Sequence, residues 1–173
     1  MTSESIKLYK LIILYFLNRT KNEITNAILS DFILEYGYTD YFSIQETLKT
    51  LTKDELICAT RTRTASYYTI TEKGRETLEF FCFKLPKDTM QQIDDYLAKH
   101  KIQITEDTSI RTDYSKTNFD EYLARCTVVE HGCTVFEVAL NVLTEEEAID
   151  VCRRFKEKSD TIYSFLYKEL SMN

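Results

Sequence analysis

Arg61 and Arg63 stand one threonine apart in the stretch ATRTRTASYYTI, residues 59–70. Residues two apart on an extended backbone project to the same side, so both guanidiniums can address one partner. Guanidinium suits phosphate oxygens, and a narrow minor groove attracts arginine in particular. Thr60, Thr62 and Thr64 add hydroxyl donors beside them. The plainer alternative is that two arginines keep a hairpin tip soluble and guard an exposed strand edge.

A second set of polar side chains falls at helical spacing over residues 42–54. Ile44, Leu48 and Leu51 recur at i, i+4 and i+7 and form an inward stripe. The other side carries Glu46, Lys49, Thr50 and Lys53, with Gln45 on its flank. On a helix lying in a major groove, Gln45 and Lys49 can reach base edges. Ser43, Thr50 and Lys53 would contact phosphate or flank the bases. Glu46 can accept from a cytosine amino group, or simply pair with Lys49 or Lys53. Thr25 and Asn26, at the start of an expected helix over 25–36, are candidates for phosphate contact through a helix N-terminus.

Catalytic chemistry finds little footing. The only histidines are His100 and His131, and CTVVEHGC puts Cys126, His131 and Cys133 within eight residues. Zinc sites use closely paired ligands, and no fourth ligand accompanies these three. There is no glycine-rich phosphate loop, no GxSxG and no nucleophile–base pair. Glu145, Glu146 and Glu147 are accounted for by the positive end of a helix. The expectation is a protein that is not an enzyme, with no catalytic residues, cofactor or metal.

These side chains sit in a chain of 173 residues, of which 43 % are hydrophobic and 13 % aromatic. Such a chain can build a core, in one moderate domain or two small ones. Its formal net charge is −6, and the charge is uneven. Residues 1–86 carry 11 basic and 11 acidic side chains, whereas residues 87–173 carry 11 and 17. A polyanion is therefore expected to meet the first half and not the second. The five cysteines, Cys58, Cys82, Cys126, Cys133 and Cys152, follow no disulfide spacing and are expected to be reduced thiols in apolar surroundings. The longest apolar run, LIILYFL at 11–17, is far short of the roughly 20 residues of a membrane span. The polar NRTKNE behind it offers no signal-peptide cleavage site. The expected location is cytoplasmic.

Helices are expected over 5–18, 25–36 and 42–54, the last capped by Ser43 with Glu46 or by Asp40. Gly37 ends the second helix. Strands over 56–60 and 66–70 flank the loop RTRTA, and Thr71 caps a fourth helix that stops at Pro86. Gly74 in its first turn weakens that helix. After Pro86 come a helix on Met90, Ile93 and Leu97, then strands over 101–114, 119–130 and 133–143. A long helix follows, capped by Thr144, with Ala148, Val151, Cys152, Phe155, Ile162, Leu166 and Leu170 as its apolar stripe.

The stretch YYTITEKGRETLEFF resembles the wing strand and exit helix of bacterial regulators of the PadR and MarR type. The longer pattern LIILYFL…EIT…YFSIQETLKTL…LI…YYTITEKGRETLEFF is similar to a family of bacterial winged-helix proteins catalogued as a domain of unknown function. The resemblance covers residues 5–86 and implies a DNA-binding regulator.

The expected fold class is α+β, with a winged helix-turn-helix over 1–86 followed by an antiparallel β-β-β-α domain over 87–173 that dimerises or senses a ligand. The helix 42–54 would read the major groove of double-stranded DNA. The 60–65 wing, with Arg61, Arg63 and Thr64, would contact phosphates or the minor groove. So thin a basic footprint favours a homodimer, which doubles the contacts. The other reading is a winged-helix scaffold that binds proteins and not DNA. No small-molecule effector is defined: Tyr96, Tyr114, Phe119 and Tyr122 can line a pocket or fill the core.

Overall fold

Ile12, Ile13, Leu14, Phe16 and Leu17 are each no more than 2 % exposed. A helix apolar on every side has to be covered on every side, and the first unit of the chain is built around this one. The computed structural model describes residues 3–20, 23–101, 104, 109–130 and 133–171. Among the described residues the architecture is mixed α+β, with six α-helices and two three-stranded antiparallel sheets. By contact, Met1–Arg61 with Ala65–Thr105 form one compact unit, and Thr62–Thr64 with Glu106–Asn173 form another.

In the first unit the order is α1 (Ser3–Arg19), β1 (Ile24–Thr25), α2 (Asn26–Glu35), α3 (Tyr41–Lys53), β2 (Ile57–Arg61), β3 (Ser66–Ile70), α4 (Glu72–Phe81), a 3-10 turn (Cys82–Lys84) and α5 (Lys87–Lys99). α1, apolar along residues 11–17, packs on α3, α4, α5 and β3. The sheet has the order β1-β3-β2, with Ile24 opposite Tyr68 and Ile57 opposite Ile70. The two-residue strand β1 was not expected from the sequence, which reads Ile24 as part of a polar turn. α2 ends as anticipated: Gly37 takes φ 66°, and the amide of Tyr38 donates to Ile33 O at 3.1 Å. The sequence sets a boundary at Pro86, but the first unit continues to Thr105. Ile93 and Tyr96 of α5 bury in its core, where Tyr96 meets Phe32 at 5.1 Å between centroids.

Thr25 caps α2. Its Oγ1 accepts from the Ile28 amide at 3.3 Å, and the residue is buried. Losing such a cap costs about 1 kcal/mol. Thr25→Ala is expected to lower the urea unfolding midpoint by about 0.5 M, that loss divided by a slope of about 2 kcal/mol/M, with the slope itself unchanged.

The second unit contains β4 (Ile110–Lys116), β5 (Tyr122–Glu130), β6 (Cys133–Val142) and α6 (Glu145–Ser171). The strands pair in the order β4-β5-β6, with Cys126 between Thr112 and Val138. α6 lays Ala148, Cys152 and Phe155 over Ala124 and Cys126. Its start is a reciprocal cap. Thr144 Oγ1 accepts from the Glu147 amide at 3.2 Å, and Glu147 Oε2 accepts from the amides of Leu143 and Thr144. The strand expected over 101–114 begins only at Ile110; Lys101, Ile104 and Ser109 are helical, and the rest of 102–108 lies outside the described residues.

The five cysteines are free thiols. Burial pushes the Cys126 thiol up to about 12 and raises that of Cys152 as well, so both stay protonated at neutral pH. Cys58 and Cys133 are exposed, and this departs from the apolar surroundings expected for all five. No helix among the described residues is long and apolar enough to cross a membrane.

Candidate nucleic-acid interface

The inward stripe of α3 is buried as its spacing requires, with Ile44, Leu48 and Leu51 at 2 % exposure or less. That orientation turns Lys49 and Lys53 outward. The cap is Asp40 and not Ser43. Asp40 accepts from the Ser43 amide at 3.1 Å and from the Ser43 hydroxyl at 2.7 Å. These two hydrogen bonds hold the Asp40 carboxyl below its ordinary range, so the cap is charged at neutral pH. Ser43 is thereby buried and its hydroxyl is spent within the protein.

Strand β2 ends at Arg61, which lines the same concavity as Gln45, Lys49, Thr50 and Lys53, together with Phe42, Glu46 and Tyr68. The concavity encloses about 790 Å³ and lies wholly within the first unit. Burial raises the Tyr68 phenol, and the neighbouring Arg61 guanidinium draws it partly back. Among the described residues, Lys49, Lys53 and Arg61 are exposed and engage in no ion pair. By contrast, Lys10 is bound to Asp54 at 2.9 Å and Lys73 to Glu55 at 3.5 Å. Three cations outside any contact ion pair, against the single lining carboxylate Glu46, suit a partner that brings its own negative charge.

The remaining predicted residues are placed differently. Asn26 and Gln45 are tied to each other by two amide hydrogen bonds, at 3.0 and 3.3 Å. The Thr25 hydroxyl is held by the cap of α2. Thr50 donates back to Glu46 O at 2.9 Å. Thr62–Thr64 group with the second unit. There Arg63 lies 3.6 Å from Glu145 Oε1 and 5.0 Å from the Tyr114 ring centroid, and its amide donates to Asp113 at 2.8 Å. Thr64 donates its hydroxyl to Thr112 O. So Arg61 and Arg63, adjacent in pattern, are separated in role: only Arg61 lies on the concave face.

Phe42 and Tyr68 are two lining residues that the sequence reading missed. Phe42 is 83 % exposed although it precedes a buried Ser-Ile pair. An aromatic in the first turn of an amphipathic helix, off its apolar stripe, was the available signal. The Cys126, His131 and Cys133 grouping does not gather: Cys126 is buried, Cys133 is exposed, and His131 lies outside the described residues. Among the described residues, no three His, Cys, Asp or Glu side chains cluster as a metal site would require.

The site and fold define a mixed α+β protein with a cationic concavity formed by a helix and a hairpin strand. Comparison with known families assigns it further. The chain belongs to a family described as a domain of unknown function (DUF4364), whose profile matches residues 9–170. No curated protein and no solved structure matches it.

Proposed function

We propose that the chain is a DNA-binding transcriptional regulator of winged helix-turn-helix type, akin to the PadR and MarR regulators. α3 enters the major groove and the β2–β3 hairpin is the wing. The observation that carries this is the joint presence of Lys49, Lys53 and Arg61, free of ion pairs, on one concave face. Lys49 lies over base edges, while Lys53 and Arg61 meet phosphates on either side. Gln45 reaches a base edge once it releases Asn26. Phe42 supplies apolar contact, as to a thymine methyl group. The protein works on duplex DNA in the cytoplasm, without cofactor and without catalysis of its own.

The regulator acts as a homodimer. The far end of α6 bears Phe165, Tyr167 and Leu170 at 62, 57 and 81 % exposure, more apolar surface than a lone helix end keeps in water. A second copy covering that end doubles the phosphate contacts. Sedimentation equilibrium at micromolar concentration is expected to give a dimer, and a monomer would remove this part of the proposal.

A protein-binding scaffold is the second reading, favoured by one observation: Arg63 and Thr64, at the tip of the hairpin, are engaged within the protein. Anisotropy titration of labelled duplex DNA separates the two. The regulator binds DNA and weakens on Arg61→Ala; the scaffold does neither.

A further inference from the structure

We propose that the groove between α1 and α4 binds a free medium-chain carboxylate, with the alkyl chain on its leucine floor and the carboxylate among its lysines. The groove encloses about 330 Å³, the size of a small-ligand pocket. Its floor is Leu11 and Leu14 of α1, both buried, with Leu56 and Phe81 as walls. These positions follow from helical spacing: Lys7, Lys10 or Leu11, and Leu14 repeat along one face of α1.

Three ammonium groups surround the groove, from Lys7, Lys10 and Lys84. Lys10 is held by Asp54 at 2.9 Å. Lys7 pairs with Glu4 at 2.8 Å, but both side chains are more than half exposed, so the pair exchanges readily with another anion. Lys84 stands over the rings of Phe81 and Phe83, at 5.4 and 5.9 Å, and among the described residues it joins no ion pair. An incoming carboxylate therefore meets Lys84, which forms no contact ion pair and feels only the longer-range charge of Glu4, and one weakly held cation.

The two halves of the groove select the ligand class together. Inorganic phosphate gains nothing from a leucine floor, and a neutral hydrocarbon makes no use of the lysines. An amphipathic monoanion satisfies both, and only it buries the apolar floor while leaving no lysine facing hydrocarbon. The site shares no residue with the concavity of Lys49, Lys53 and Arg61, so its existence does not depend on DNA binding.

Calorimetric titration of the full chain with sodium octanoate, below its micelle concentration, tests the proposal, with 1-octanol as the uncharged comparison. The expected result is saturable binding of one octanoate per chain, about fivefold or more tighter than octanol. Lys84→Glu, at an exposed position, should bring octanoate down to the affinity of octanol. Thr77→Phe, which fills the groove, should weaken both ligands. Far-UV circular dichroism checks that each variant is folded, and Lys84→Gln replaces Lys84→Glu should the latter unfold. Octanoate binding no tighter than octanol, many octanoates per chain, or affinity indifferent to both folded variants overturns the proposal.

Discussion

Changing Lys49, Lys53 and Arg61 together to alanine will cost the protein most of its affinity for duplex DNA. The three cations share one concavity and form no contact ion pair among the described residues, so only the nearby charges of Glu46 and Asp54 offset them in the free protein. Each contact with a phosphate releases condensed counter-ions and adds about 0.9 to the slope of log affinity against log salt. The triple variant should therefore show a slope shallower by about 2 to 3 for each protomer bound. At about 1 kcal/mol per lost ion contact, affinity drops about a hundredfold. Arg63→Ala should act differently. Its guanidinium is already occupied by Glu145 and the face of Tyr114, so DNA affinity and salt slope should stay near those of the wild type. Anisotropy titrations at several salt concentrations measure both quantities at once. Equal losses from Arg61→Ala and Arg63→Ala would contradict the division of roles between them.

Gly74→Ala should destabilise the fold by about 3 kcal/mol, the reverse of what alanine does elsewhere in a helix. In an exposed helix interior, alanine gains about 1 kcal/mol over glycine. Here a Cβ on residue 74 would lie 2.1 Å from Leu56 O and 2.9 Å from the Ile70 side chain. Leu56 O cannot retreat, because it accepts from the Thr71 amide at 3.1 Å and from the Thr71 hydroxyl at 3.0 Å. Thr71 Oγ1 in turn accepts from the Gly74 amide at 3.1 Å. A side chain at residue 74 would pry the start of α4 from the chain segment that leads from α3 into β2. Thermal unfolding should fall by about 10 °C for a chain of this size. An unchanged or higher midpoint would show that α4 does not approach Leu56 so closely.

Those two expectations mark where the sequence is informative and where it is not. Local patterns carried the elements. The all-apolar run at 11–17 is the buried α1, the i, i+4, i+7 leucine and isoleucine spacing is the inner face of α3, and the alternation after Cys133 is β6. Thr144 and Glu147 announce the start of α6. What escaped depends on residues distant in the chain. Nothing near Arg63 reveals that Glu145 and Tyr114 engage it. Gly74 looks like a weak point of a helix until the carbonyl of Leu56 is in view. β1 has two residues, too few for any period to show. The helix expected to run up to Pro86 ends at Phe81, and Pro86 instead caps the start of α5, so the proline does not bound the compact unit: it does not limit what the next helix packs against. Ser43 and Asp40 both fit a cap, and only the geometry at Ser43 decides between them.

The most direct test is anisotropy of the wild-type protein with labelled random-sequence duplex DNA at about 50 mM salt, where electrostatic binding is strongest. The account predicts saturable binding that weakens steeply as salt is raised and that the triple alanine variant loses. No binding at that salt concentration would contradict it, and the cationic face of α3 and β2 would then be sought in contact with a protein partner.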